Sequence, residues 1–222
     1  STVAQKIIPF CSRRIGLDEN GIPIPINYGA KIAGQLKSWN IGLLHINDKR
    51  ETGIENFSVA RITKNIGKQS SIGFISTYGN ALSDSTNLLA GADIKLSSSN
   101  FQGNKNISFL FFGLKSQTKS LDNENNAWGA QFNYPNDLVK ARLGYHQIGK
   151  NFIAGMGFVP RINIKETYGD VELGPRPNKW GIMQIQFGGT FNNIQNKETL
   201  DLETRTLQIK PVIIRLLSGE KI

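Results

Sequence analysis

The chain has one cysteine, Cys11, and two histidines, His45 and His146, among its 222 residues. A lone thiol excludes an intrachain disulfide, and with no base close in sequence Cys11 reads as a small apolar filler. The two histidines lie far apart with no ligand-spaced cysteine or carboxylate beside them, so no metal is expected, and no other cofactor. Neither a Gly-x-Ser-x-Gly elbow, a phosphate loop nor a His-Glu-x-x-His sequence occurs, and the chain does not read as an enzyme. No apolar run approaches the ~20 residues of a membrane-spanning helix. That excludes helical spans only, because a spanning strand is apolar at every second position. An initiator Met, a basic leader and an apolar leader core are also missing, so the chain reads as a mature protein or as an internal piece of a longer one.

With 39% hydrophobic and 19% charged residues the composition is that of a folded chain, and the length suits one all-β domain or two smaller ones. The net charge is +9. Lys and Arg are scattered rather than clustered, which argues against nucleic acid. Spread positive charge suits a solvated face or an acidic partner such as lipopolysaccharide phosphate.

What the chain has in abundance is period-two alternation, the mark of strands with two unlike faces. Over residues 26–37, Ile26, Tyr28, Ala30, Ile32, Gly34 and Leu36 share one face, opposite Asn27, Gly29, Lys31, Ala33, Gln35 and Lys37. Continuing in this way predicts about eleven strands, at 26–37, 41–46, 56–66, 71–78, 87–96, 106–115, 127–134, 138–148, 162–173, 180–190 and 200–214. Pro135-Asn136-Asp137 supplies turn chemistry for the clearest hairpin. Pro175 and Pro177 break the chain after 173, since proline cannot donate to a ladder. The links run tight, long, tight, long, the rhythm of up-and-down barrels of the bacterial outer membrane. Two stretches fit it unevenly. Residues 47–55 read as a long polar loop, and 97–105 should be a tight turn but lack turn chemistry. The expected fold is therefore all-β, an antiparallel up-and-down transmembrane barrel, with 1–222 forming a single outer-membrane barrel domain.

Such a barrel places Tyr and Trp at strand ends on its lipid face, in two girdles. Trp39, Tyr134 and Trp180 lie beside tight links; Tyr28, Tyr78, Trp128 and Tyr145 lie at the opposite ends. These seven are the expected lipid-interface residues, since an amphipathic ring gains from one wet and one greasy end. The opposite face would line a polar, basic lumen through Lys31, Gln35, Lys95, Gln131, Lys140 and Arg142. The expected location is the outer membrane of a Gram-negative bacterium, with lipid and lipopolysaccharide as partners.

An ordered set of short motifs runs through the chain: Pro9-Phe10 with Ser12-Arg13-Arg14-Ile15-Gly16-Leu17, Gly29-Ala30-Lys31 through Trp39-Asn40-Ile41-Gly42-Leu43-Leu44, and Asn56-Phe57-Ser58-Val59 with Arg61. Ser71-Ile72-Gly73, Ala127-Trp128-Gly129-Ala130, Gly157-Phe158-Val159-Pro160-Arg161 and Leu202-Glu203-Thr204-Arg205-Thr206-Leu207 follow. In these the chain resembles the C-terminal β-barrel domain, itself of unknown function, of bacterial outer-membrane proteins that carry an N-terminal family-nine-like carbohydrate-binding domain. The resemblance implies an upstream sugar-binding domain absent from this chain, a barrel larger than this segment, and a glycan as a further partner, with the barrel acting as anchor or conduit.

Two alternatives remain in view. A soluble all-β carbohydrate-binding module would gather its aromatics on one exposed patch. A glycoside hydrolase would use paired carboxylates; Asp170 with Glu172 and Asp201 with Glu203 sit two apart, ~6.5–7 Å on one strand face. Any such pair on any strand meets that spacing. Arg13 and Arg14 could grip one anion only from a loop, because adjacent strand residues point to opposite faces.

Overall fold

A computed structural model describes residues 7–17, 21–50, 53–81, 83 and 85–222. Eleven strands follow one another in a single antiparallel sheet whose spatial order is the chain order. They are β1 (Ile26–Leu36), β2 (Trp39–Arg50), β3 (Gly53–Ile66), β4 (Ser70–Tyr78), β5 (Asn87–Phe101), β6 (Lys105–Thr118), β7 (Asn126–Pro135), β8 (Val139–Ile148), β9 (Ile164–Leu173), β10 (Ile182–Asn196) and β11 (Leu202–Leu216). The described residues contain no α-helix, only a 3-10 turn at Ser12–Arg14, which places Arg13 and Arg14 off any strand. Among the described residues no helix is long and apolar enough to cross a membrane, which says nothing of a barrel that crosses with strands. Among the described residues β1 pairs only with β2 and β11 only with β10, so the sheet is open along two edges.

All eleven predicted strands are present, with boundary corrections at 47–55, at 97–105 and in β10, expected at 180–190 and found at Ile182–Asn196. The expected loop at 47–55 is mostly strand: β2 runs on to Arg50 and β3 starts at Gly53, with Asp48 facing Glu55 across the ladder. The 97–105 stretch resolves in the same way, β5 extending to Phe101 and β6 starting at Lys105 around the link 102–104. Polar residues end the apolar alternation there without ending the backbone pairing. Pro211 lies inside β11, next to the register shift where Gln186 pairs Ile213 and Gly188 pairs Lys210. Edge strands and bulges are where a ladder tolerates proline.

Links 37–38, 67–69, 102–104, 136–138 and 174–181 gather at one end of the sheet, and the longer links 79–86, 119–125, 149–163 and 197–201 at the other. A row of directly opposite cross-strand partners does not run level between these ends. It begins at Leu36–Trp39 and passes through Lys64, Ile72, Ile94, Phe111, Ala130, Tyr145, Thr167 and Asn193 to Arg205. Leu36 is the last residue of β1 at the short-link end; Arg205 is the fourth of β11 at the long-link end. With ~3.3 Å rise per residue and ~4.8 Å between strands, this slip corresponds to a tilt of about 30°. Staggering of that kind is what closing a sheet into a barrel requires.

One face of the sheet is apolar from edge to edge. Ile32, Leu43, Ile62, Phe74, Ile94, Phe111, Phe132, Leu143, Val171, Phe191 and Leu207 lie on it, one from each strand. Among the described residues nothing packs over this face: Ile32, Phe74, Phe111, Leu143, Phe191 and Leu207 are all exposed. The opposite face is mixed. Near the long-link end of β3–β9 it is apolar and covered by segment 7–17 and the in-folded link 149–163. Ile7, Leu89, Leu114, Ile148, Phe152 and Ile164 form one buried cluster there, and Phe57, Val59, Ala81 and Met156 another. Segment 7–17 is stitched to the link by backbone bonds, Ile8 N–H to Phe158 O at 2.9 Å, Phe158 N–H to Ile8 O at 2.7 Å and Cys11 N–H to Met156 O at 2.7 Å. Each fully buried side chain such as Phe152 contributes about 1.5–3 kcal/mol.

Candidate functional site

Toward the short-link end the mixed face becomes a charged and hydrogen-bonded surface built by alternate residues of many strands. Strand parity puts all six expected lumen residues on it. Lys31 and Gln35 stand exposed on edge strand β1, with Gln35 Nε2 donating to Lys37 O at 3.3 Å. Lys95 stands exposed on β5. Gln131 is buried; its Nε2 donates to Asn133 Oδ1 at 2.8 Å and its Oε1 accepts from the Tyr168 hydroxyl at 3.0 Å. Lys140 Nζ lies 2.9 Å from Glu172 Oε1. Arg142 is half-buried and faces Asp170 across the β8–β9 ladder.

Around them stand further charged groups, of which the sequence had singled out Arg61, Asp170 and Glu172 but neither Asp93 nor Lys210. Arg61 on β3 reaches Asp93 on β5, passing over β4, with Nη1–Oδ2 2.5 Å and Nη2–Oδ1 3.0 Å. Lys210 on β11 reaches Asp170 on β9 at 2.8 Å and Glu172 at 3.7 Å, passing over β10. Two glycines make such crossings possible. A Cβ on Gly73 would lie 2.4 Å from Arg61 Nη2, and one on Gly144 only 2.2 Å from the Tyr168 ring. Gly144 stands between Gln131 and Tyr168 in one cross-strand row, so the absent side chain is what lets their hydrogen bond span β8. The sequence signal was a glycine at a network-face position with long polar residues on both flanking strands.

The carboxylate pairs come out unlike each other. Asp170 and Glu172 share the mixed face and are held by Lys140 and Lys210. Asp201 precedes β11 and lies in the link 197–201, so it does not share a strand face with Glu203. The histidines also separate. His45 is on the apolar face beside Tyr28, its Nδ1 2.9 Å from Ser58 Oγ. His146 is on the mixed face, 1% exposed, with Nε2 3.2 Å from Glu166 Oε2. Among the described residues no group of three or more His, Cys, Asp or Glu is placed to hold a metal.

The aromatic residues divide by height on the apolar face. Trp39 opens β2 and Tyr134 nearly closes β7, both at the short-link end; Lys64 Nζ stands 5.1 Å over the Trp39 ring, and Phe101 meets Tyr134 edge-on at 6.5 Å. Tyr28, Tyr78 and Trp128 lie near the long-link end, with Tyr145 packed on Trp128 at 5.3 Å. Trp180 differs from the expected strand start: it sits in the link before β10, with φ 55° and 89% exposure.

Beyond the sheet ends, Arg176 in link 174–181 grips Asp137 in the β7–β8 turn at 2.5 and 3.0 Å. The guanidinium holds that carboxyl below its ordinary 3.8. At the other end Lys150 Nζ lies 2.6 Å from Glu198 Oε1 and likewise holds it below the usual carboxylate range. Neither a family model, a curated protein nor a solved structure matches the chain.

Proposed function

We propose that this chain is wall of an outer-membrane β-barrel in a Gram-negative bacterium, with its apolar face against hydrocarbon and its charged face toward a polar interior. The observation that carries the reading is the uncovered apolar face continuous over all eleven strands. Soluble monomers rarely expose apolar patches beyond a few hundred Å². The middle of this face carries no charge: on β5, Leu88, Ala90, Ala92, Ile94 and Leu96 succeed one another, ~26 Å along the strand and ~23 Å once tilted, close to the ~25 Å apolar band of such barrels. The charged residues that parity puts on that face, Lys49, Lys64, Lys105, Lys115, Lys165 and Arg205 among them, fall toward strand ends. The two bands of Tyr and Trp bracket it as interfacial girdles, and the strand slip supplies the stagger of a closed wall. Further strands joining β1 to β11 would complete the closure.

In this reading the barrel serves as anchor or conduit, and the motif resemblance adds a link to glycan handling through a sugar-binding domain upstream. A soluble carbohydrate-binding module would need one aromatic patch rather than two bands. Cell fractionation tests the proposal: the full-length protein is expected in detergent-extracted outer membrane, migrating differently on gels before and after boiling. Recovery in the soluble periplasm without detergent would reject it.

A further inference from the structure

We infer that the outer edge of β11 is a strand-acceptor site. Its occupant is an extended segment of alternating apolar and polar residues that enters from the short-link end and pairs antiparallel with β11. The first rung of that ladder is already in place. After β11 the chain turns at 217–220, with Gly219 at φ 94° and its N–H donating to Leu216 O at 3.0 Å. It then lies back along the side of β11 that faces away from β10. Ile214 N–H donates to Ile222 O at 2.8 Å, Ile222 N–H to Ile214 O at 2.9 Å, and Leu216 N–H to Glu220 O at 2.9 Å. The faces match as well. Lys221 falls opposite Arg215 on the mixed face, and Ile222 opposite Ile214 on the apolar one.

Past this rung the edge is bare. Leu207 and Ile209 are 75% and 82% exposed, against 39% for Phe191, which faces Leu207 from β10 and has strands on both sides. An unpaired row of N–H and C=O groups is a template for strand addition. The side chains along it set the occupant's pattern: apolar opposite Leu207 and Ile209, polar opposite Gln208 and Lys210. β1 is not that occupant. It begins at the long-link end, as β11 does, so the two run in the same direction and cannot share an antiparallel ladder. The same holds for β1 of a second copy standing the same way up. Joining the two edges by antiparallel pairing alone therefore takes an odd number of added strands. This rests on backbone geometry and stands whether or not the apolar face meets lipid.

A synthetic peptide copying residues 184–196, part of the strand that β11 accepts on its inner edge, tests this on the whole chain in detergent micelles. Of two neighbouring strand amides, one faces outward. The peptide is expected to slow hydrogen exchange at Leu207 or Gln208 roughly tenfold, the protection of one added hydrogen bond. A nitroxide on its N-terminus is expected to broaden the Val212 amide signal, and one on its C-terminus the Thr204 signal. The same peptide carrying Thr190→Pro and Phe191→Pro, which cannot complete a ladder, should do neither. The inference is overturned if exchange at both residues stays unchanged, if the two labels broaden in the reverse order, or if the proline peptide acts equally.

Discussion

At the scale of single residues, the fold turns on what is missing between two strands. Gly144 leaves the gap through which Tyr168 reaches Gln131. Gly144→Val is expected to cost about 1–3 kcal/mol, as overpacking does, read as a lower urea midpoint. Gly113→Val is the matched control: a Cβ there has nothing within 4 Å, and the change should stay within about 0.5 kcal/mol. Ala92, in the middle of the apolar face, tests the solvent of that face. Ala92→Arg should cost about 2–4 kcal/mol in a bilayer, the price of a charge at mid-depth, against about 0.5 kcal/mol on a water-facing sheet. Folding equilibria in lipid vesicles distinguish these values. Face parity was legible for residues inside the strands, because a strand period of two leaves only two choices, and it failed for Trp180 and Asp201, which lie in links. The partners Arg61–Asp93 and Lys210–Asp170 were not, since each pair skips a strand and no local pattern encodes which side chain crosses it.

At the scale of elements, the strands were legible and the covering segments were not. Alternation located β1 to β11, and missed mainly where polar residues such as Ser97 to Asn100 or Asn192 to Asn196 continue a ladder past its apolar part, and at the start of β10, where Trp180 lies in a link. Link 149–163 has no period, and its inward fold rests on contacts far away in sequence. Asn87 is the main tie: its Nδ2 donates to Thr118 Oγ1 at 2.8 Å and to Ile153 O at 3.2 Å, and its Oδ1 accepts from Gly155 N–H at 3.1 Å. Asn87→Ala should free the link locally, raising exchange of the Gly155 amide roughly tenfold or more, as expected when buried groups lose their partners; unchanged exchange would contradict this tie. At the other end, Asp137 and Arg176 join the β7–β8 turn to link 174–181. The carboxyl is depressed below 3.8 by the arginine's hydrogen bonds. Its contribution is therefore complete above that pH and is lost as pH falls through the lower folded value. Amide exchange in link 174–181 should quicken across that acid window, and Arg176→Gln should remove the pH dependence. Both groups are exposed, so salt should weaken the effect.

At the scale of the whole molecule, one sheet has two faces of opposite character, and both of its edges are open. Closure is absent from the alternation itself, which fixes strands and faces but says nothing of how many strands complete a ring. An open sheet with such edges is prone to pair with another. The chain alone is therefore expected to self-associate in water and to disperse in detergent, which sedimentation in both conditions checks. The direct test is nitroxide labelling in lipid vesicles, in a Cys11→Ser background, with single cysteines at Ala90, Ala92 and Ile94 on the apolar face and at Ser71 and Lys95 on the other. Labels at the first three should collide mainly with dissolved oxygen, and labels at the last two mainly with a water-soluble nickel chelate. Equal access of the chelate to both faces would contradict a hydrocarbon-facing belt.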